Sequence, residues 1–202
     1  MSHFTYQEPD LACLKQGDIL KKSDGIRSIL EQVHPHYLRD DYQYFVVLTQ
    51  TCDLVRRDSR QCKSPYITIA AVRSLELLLG MEIDKPQKTQ VEIIGGICSL
   101  DLKQRMTQFL EHLLKNKEPD YFFLSDDTSL GFPDRMVAFL KLSISLKADL
   151  HYDTCLSAKV LGLTDAFKAK LGWLVGNMYS RVGTPDWVSY RAKPAGFPRF
   201  DR

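Results

Sequence analysis

Residues 44–53 read YFVVLTQTCD, and this stretch decides the predicted fold. Its first five residues are apolar and rich in aromatic and β-branched side chains, which is typical of a strand buried on both faces of a sheet. The next five are polar or reactive and stand where the strand stops, a place where binding residues are often found. The stretch therefore predicts a central strand at 42–49 that ends in a candidate functional site.

Other short strand candidates surround this central strand. Residues 66–72 form a second β-branched run, which we expect to pair with it as an antiparallel neighbour. A turn precedes a strand at 18–22, residues 121–124 and 136–144 predict a hairpin with a long loop, and 158–161 predict a last strand. Short strands of this kind indicate a small, strongly bent antiparallel β-barrel or half-barrel.

Helical patterns are segregated from the strands, so the predicted fold class is α+β rather than alternating βαβ. Apolar residues at three- and four-residue spacing predict a short helix at 26–33, a helical insertion at about 75–118 and a C-terminal amphipathic helix after Thr164. The chain has 202 residues, near the upper end of one ordinary domain. We therefore expect a single domain, 1–202.

Composition and charge exclude several classes of protein. With 44% hydrophobic and 26% charged residues, the chain matches an ordinary globular domain rather than a disordered or coiled-coil protein. A net charge of +2 lacks the concentrated basic excess of a dedicated nucleic-acid binder, although a local basic patch is compatible with it. Five scattered cysteines without a Cys-x-x-Cys pair indicate a reducing, cytoplasmic compartment. No apolar stretch approaches the ~20 residues of a membrane helix, so no membrane association is expected.

Three separated segments resemble the MazF/PemK-like toxin fold, an SH3-like barrel. They are residues 16–20 (QGDIL), 45–49 (FVVLT) and 67–74 (ITIAAVRS). That family opens with a Gly-Asp-Ile strand, continues with an apolar strand ending near Ser or Thr, and follows with a strand ending in a Thr-Ser turn. The resemblance implies a β-barrel that binds or cleaves RNA at one face, in a protein of toxin–antitoxin or phage-defence type.

The resemblance also implies roles for particular residues. In the family, a basic residue before the second strand stabilises phosphate charge, and a Thr or Ser after the third helps to position the attacking 2′-hydroxyl. Ser74 matches the latter, whereas Tyr42-Gln43-Tyr44 replaces Arg-Pro, so the cationic role falls to an arginine elsewhere, with Arg39, Arg56 and Arg57 as the candidates. The predicted catalytic residues are Cys52, Asp53, Arg57 and Ser74, and the predicted substrate-binding residues are Thr49, Gln50, Thr51 and Arg56. The helical insertion is longer than that compact fold usually carries. We therefore infer the barrel architecture from the resemblance more readily than the ribonuclease activity.

Cys52 and Asp53 each have a structural interpretation beside the catalytic one. The cations that follow Cys52 favour a thiolate, and a thiolate nucleophile needs a base, for which His151, His34 and His36 are the candidates. The alternative is a small buried cysteine that closes the strand. Asp53 is either part of the catalytic set or the cap of a following helical turn.

A metal site is a further alternative, built from His151, Asp153 and Cys155 with Cys52 and Cys62. The first three alternate along the chain, so on a strand they would face one side. Zinc sites usually contain close Cys or His pairs at short fixed spacings, which this sequence lacks, so we expect no metal and no other cofactor.

Two functions stay open on the sequence. The first is an RNA-binding or metal-independent RNA-cleaving protein that uses a concave barrel face near Cys52. A basic cluster at 56–63 and interleaved aromatic and basic residues at 181–202 are compatible with it. The second is a non-catalytic protein–protein interaction subunit whose helical insertion presents an apolar stripe to a partner. That stripe contains Leu102, Met106, Phe109, Leu110, Leu113 and Leu114.

Overall fold

The computed structural model describes residues 5–56, 61–84, 100–132 and 134–180. Its strands are β1 (Tyr6–Gln7), β2 (Asp18–Lys21), β3 (Tyr44–Val47), β4 (Tyr66–Ser74), β5 (Tyr121–Leu124), β6 (Met136–Lys147) and β7 (Lys159–Leu163). They form one seven-stranded sheet in the order β1-β7-β2-β3-β4-β6-β5. Every neighbouring pair is antiparallel, and the sheet curls into a half-barrel.

Six α-helices fall within the described ranges: α1 (Asp24–Val33), α2 (Thr51–Leu54), α3 (Leu75–Ile83), α4 (Leu100–Leu114), α5 (Ala148–Ser157) and α6 (Asp165–Tyr179). Short 3₁₀ turns occupy Pro35–Leu38 and Thr128–Leu130. The predicted α+β class is therefore confirmed. None of the helices in the described ranges has the length and apolar character needed to cross a bilayer.

The central strand β3 is buried on both faces, as its sequence predicts. Phe45 and Val47 pack into one hydrophobic core, whereas Val46 and Leu48 pack into a second core on the opposite face of the sheet. This division follows from the two-residue period of a strand. Burial of one such side chain contributes about 1.5–3 kcal/mol, so β3 stabilises both halves of the molecule.

Helices cover both faces of the sheet. Leu30 of α1 and Tyr152 of α5 lie in the first core, and Leu171 of α6 lies in the second. A third, smaller core joins Leu78 of α3 and Leu113 of α4 to strands β5 and β6. Helices α3 and α4 of the predicted helical insertion thus pack on the end of the sheet formed by the β5–β6 hairpin.

The sheet bends where its pairing is irregular. The register of β2 against β7 shifts between Ile19 and Leu20, and that of β4 against β6 shifts between Ala70 and Val72. An extra residue on one strand of an antiparallel pair bends that strand and increases its twist. These two shifts lie on opposite sides of β3, so they curl the sheet around it.

Helix α5 bears on the metal alternative. His151, Asp153 and Cys155 would face one side only on a strand, and Ala148–Ser157 is helical. The buried residues Ala148, Tyr152 and Cys155 are spaced by four and three residues, which is the period of a helix. These side chains pack on the sheet as the chain crosses from β6 to β7.

Asn116 joins the end of α4 to the edge strand β5. It has a left-handed backbone conformation, with φ at 50°. Its Oδ1 accepts the backbone N–H of Phe123 at 2.6 Å, and its Nδ2 donates to the carbonyl of Phe123 at 3.4 Å. One side chain therefore satisfies two backbone groups that an edge strand otherwise leaves open to another chain.

Candidate functional site

The polar segment after β3 is fastened to the body of the protein by its two threonines. The Thr49 hydroxyl oxygen accepts the backbone N–H of Thr68 on β4 at 2.7 Å. The Thr51 hydroxyl oxygen accepts the backbone N–H of Gln16 at 3.1 Å, and Gln16 Nε2 in turn donates to the carbonyl of Leu48 at 2.8 Å. Both threonines thus hold the segment in place, and their predicted substrate-binding role stays a prediction.

Cys52 lies on the surface, so its interpretation as a buried cysteine is wrong. Its thiol donates to Oε1 of Gln50 at 3.6 Å. Within the described ranges, no imidazole forms a hydrogen bond with this thiol, and His151 lies on α5. The structure therefore gives Cys52 access to solvent without the base that a cysteine nucleophile requires.

Asp53 lies inside α2, which starts after Gln50. Its interpretation as the cap of a following turn is therefore wrong. The carboxylate belongs to the first turn, where negative charge is favourable near the unpaired N–H groups. The carbonyl of Asp53 accepts the backbone N–H of Ser64 at 3.0 Å, which brings the 61–64 segment against α2.

Arg56, a predicted substrate-binding residue, is held by an ion pair and by an aromatic ring. Its Nη1 lies 2.7 Å from Oδ1 of Asp153, and its guanidinium stacks on the ring of Tyr152 with 3.8 Å to the ring centroid. The hydroxyl oxygen of Tyr152 accepts the backbone N–H of Leu14 at 3.0 Å, which fixes the ring. Burial raises the pKa of Tyr152, so its hydroxyl stays protonated. Arg57, the predicted catalytic arginine, lies outside the described residues.

A cavity of about 180 Å³ opens beside Arg56. Arg56 and Lys147 bring two positive charges to its lining, and Asp149 brings one negative charge. Tyr66, which is 47% exposed, also belongs to the lining. Gln61 and Ser64 add polar residues. The lining therefore combines cationic, hydrogen-bonding and aromatic residues.

Ser74 lies at the opposite end of β4 from this cavity. Its hydroxyl caps α3 by accepting the backbone N–H of Leu77 at 3.3 Å. Ser74 lies six positions after Thr68 on the strand, which corresponds to about 20 Å at the usual rise per residue. It lines a separate cavity of about 490 Å³ together with Glu76 and Asp134. The structure therefore does not bring Ser74 together with Cys52, Asp53 and Arg56.

The residues of the metal alternative are also dispersed. The Cys155 thiol is buried in the first core, where burial raises its pKa to about 12. Asp153 is exposed and pairs with Arg56. Among the residues that the structure describes, no group of three His, Cys, Asp or Glu side chains is placed to hold a metal ion.

A buried ion pair is the polar feature that sequence reasoning missed. Lys159 Nζ lies 2.8 Å from Oδ2 of Asp18, with the two side chains only 1% and 2% exposed. The same ammonium donates to the carbonyls of Asp10 at 2.7 Å and Cys13 at 3.1 Å. Asp18 Oδ2 also accepts the backbone N–H of Lys15 at 2.6 Å. The available signal was a lysine that opens an otherwise apolar strand, since lysine is almost never fully buried unless it is paired.

No protein-family model matches the chain, and neither the curated proteins nor the solved structures contain a significant match.

Proposed function

We propose that this protein is an RNA-binding protein built on a MazF/PemK-like half-barrel, in a cytoplasmic toxin–antitoxin or phage-defence setting. The observation that carries the proposal is the cavity whose lining includes Arg56, Lys147 and Tyr66. Two cations attract the phosphate backbone, and an exposed aromatic ring stacks on a base of any sequence.

The arrangement of Arg56 supports a binding role. Its guanidinium is held by Tyr152, whose own position is fixed through Leu14. A side chain that is already ordered loses less conformational entropy when it binds a ligand. Arginine also presents several donors in a planar fork that fits phosphate oxygens. Arg56 is thus prepared for an anion before the anion arrives.

The strand order of the sheet is compatible with the proposed MazF/PemK-like architecture. The three segments that resemble that family fall on β2, β3 and β4 and their flanks, and these strands are neighbours in the curled sheet. The chain order of the family is therefore compatible with the spatial order here. The cavity lies at the end of β4 that carries Tyr66, close to the segment after β3.

We assign binding rather than cleavage. Metal-independent cleavage of RNA needs a base for the 2′-hydroxyl and a cation for the developing phosphorane charge, both at the same phosphate. Arg56 satisfies the second requirement. Within the described ranges, no imidazole forms a hydrogen bond with Cys52. Ser74 lies about 20 Å along β4 from Thr68, the residue that Thr49 contacts. The members of the predicted catalytic set that the structure describes, Cys52, Asp53 and Ser74, are thus spread over two ends of the sheet.

RNA binding is tested by fluorescence anisotropy with a short labelled RNA. Replacing Arg56 or Lys147 by alanine is expected to weaken binding about tenfold each, the effect of losing one hydrogen bond to a charged group. Lys147→Ala is also expected to reduce the slope of log affinity against log salt by about 0.7, the value for one contact with a single strand. Arg135→Ala is the matched control, because this exposed arginine pairs with Asp126 beside the other cavity. Unchanged binding in the Arg56 and Lys147 variants would place the RNA elsewhere.

A protein partner at the helical insertion is the second candidate. Phe109 packs against Tyr121, and Leu102 and Leu113 are buried, so part of the predicted stripe contacts the chain's own sheet. Leu100 and Leu114 of α4 are 83% and 52% exposed and favour this candidate. If cross-linking in cells captures a partner that Leu100→Ser and Leu114→Ser abolish, while purified protein binds no RNA, this function replaces the first.

A further inference from the structure

The ion pair between Arg56 and Asp153 sets a condition on any ligand of the cavity. The Asp153 carboxylate is 82% exposed, yet it engages Arg56 at 2.7 Å. An incoming anion must therefore compete with a carboxylate that is already in contact with the guanidinium. The ligand that competes best carries more than one negative charge on one compact group.

We propose that the cavity binds the terminal phosphate of an RNA strand rather than a phosphate within the chain. This inference rests on the proposed RNA-binding function. A terminal phosphate monoester carries about −1.5 to −2 charge at neutral pH, like a phosphorylated side chain, whereas each internal diester carries a single charge. A terminal phosphate displaces Asp153 and still pairs with both Arg56 and Lys147, which contribute the two positive charges of the lining.

The size of the cavity agrees with a terminal group. Its volume of about 180 Å³ is below the range of roughly 300–1,000 Å³ that holds a drug-sized ligand. A single phosphate fits such a space, whereas a continuous strand needs an open groove. Tyr66, a partly exposed residue of the same lining, is the aromatic residue on which the base of the terminal nucleotide stacks in this proposal.

Asp149 fits the same ligand. Its carboxylate lies in the lining with Lys147, at the start of α5. A carboxylate accepts hydrogen bonds, and the ribose next to a terminal phosphate carries hydroxyl donors. Asp149 thus accepts a ribose hydroxyl while the two cations hold the phosphate.

Competition binding tests the inference with three unlabelled RNAs of one sequence. One carries a 5′-phosphate, one a 3′-phosphate, and one has hydroxyls at both ends, and each displaces the same labelled hydroxyl-ended RNA. A preference of about tenfold for a phosphorylated end is expected, comparable to one strong charge-assisted hydrogen bond. Whichever of the 5′- and 3′-phosphorylated RNAs binds more tightly shows which end of the strand the cavity recognises. Arg56→Ala and Lys147→Ala are expected to abolish it, and Arg135→Ala to leave it unchanged.

Asp153→Asn tests whether phosphate competes with this carboxylate for Arg56. Every RNA whose phosphate displaces Asp153 breaks the same ion pair, so removal of the carboxylate is expected to raise the affinity of all three RNAs, and that of the phosphorylated RNA at least as much as that of the hydroxyl-ended one. Unchanged affinity of the phosphorylated RNA would overturn the competition with Asp153. Circular dichroism of each variant checks that the fold is retained. Equal binding of all three RNAs to the unmodified protein, with binding still sensitive to Arg56→Ala, overturns terminal recognition and leaves RNA binding in place. Failure of every RNA to bind overturns both proposals.

Discussion

Replacing Lys159 by methionine tests how strongly the buried ion pair stabilises the fold. The substitution keeps most of the side-chain volume but removes the ammonium, which lies 2.8 Å from Asp18 in a site where its side chain is 1% exposed. The Asp18 carboxylate is then buried without its cation, and the carbonyls of Asp10 and Cys13 each lose a donor. Breaking a buried pair on one side costs about 3–5 kcal/mol. We expect a loss of that size in the free energy of unfolding, measured by urea denaturation followed by circular dichroism.

Lys141→Met is the matched control. Lys141 Nζ lies 2.8 Å from Asp120, the same separation as in the buried pair, but its side chain is 61% exposed. An exposed pair contributes about 0–1 kcal/mol, so the control is expected to change stability little. A loss in Lys159→Met no larger than that of the control would refute the argument that burial makes this pair important.

The stability lost in Lys159→Met is expected to depend on pH, because the Asp18 carboxylate titrates. Burial raises the pKa of Asp18, so the folded state takes up a proton at a higher pH than the unfolded state does. A group that binds its proton more tightly when folded lowers stability as pH rises above its unfolded value, about 3.9 for Asp. Without Lys159, no paired ammonium offsets the free-energy cost of keeping the Asp18 carboxylate ionised and buried at neutral pH. The difference in stability between the native protein and Lys159→Met is therefore expected to shrink as pH falls towards 4.

Three further predictions concern single residues. Asn116→Ala removes both hydrogen bonds to Phe123 and is expected to lower the free energy of unfolding by about 1–3 kcal/mol in urea denaturation. Asn177→Ala, at an exposed position, is the control. An equal change in the two variants would contradict the role of Asn116. Iodoacetamide is expected to label the exposed Cys52 in the folded protein and Cys155 only after unfolding, because burial raises the pKa of Cys155 to about 12; mass spectrometry after equal labelling of both thiols would disprove it. Gly17→Ala is expected to lower the midpoint of thermal unfolding, because φ is 83° and an added Cβ would lie 3.0 Å from a neighbouring side chain; an unchanged midpoint would argue against strain at this turn.

The strands were predictable because their signals are local. Residues 42–49 predict a two-faced strand, and β3 sends successive side chains into two cores. The pairing of 66–72 with this strand is confirmed by the register that places Phe45 opposite Ala71. The hairpin at 121–144 is confirmed as well, since β5 pairs with β6. Strand signals such as alternation and β-branching depend only on consecutive residues, so a single sequence is enough to predict the strands.

The candidate site was less predictable because its contacts join distant parts of the chain. Arg56 meets Asp153 from 97 residues away, and Asp153 lies on a helix whose sequence also alternates like a strand. No local pattern indicates that α5 returns across the sheet to deliver Tyr152 and Asp153 to Arg56. Ser74, in contrast, belongs to a neighbouring strand, yet its place at the far end of β4 separates it from Cys52. Proximity along the chain was therefore a poor guide to which residues meet.

The buried pair between β2 and β7 also bears on how the protein is made. Lys159 follows Asp10 by 149 residues, so all of these residues are synthesised before the ammonium that holds the 10–18 segment exists. Until β7 emerges, β2 pairs only with β3 and presents an open edge. Domains generally fold as units during synthesis, and unpaired strand edges favour aggregation. The nascent chain therefore exposes this edge of β2 until β7 emerges and pairs with it.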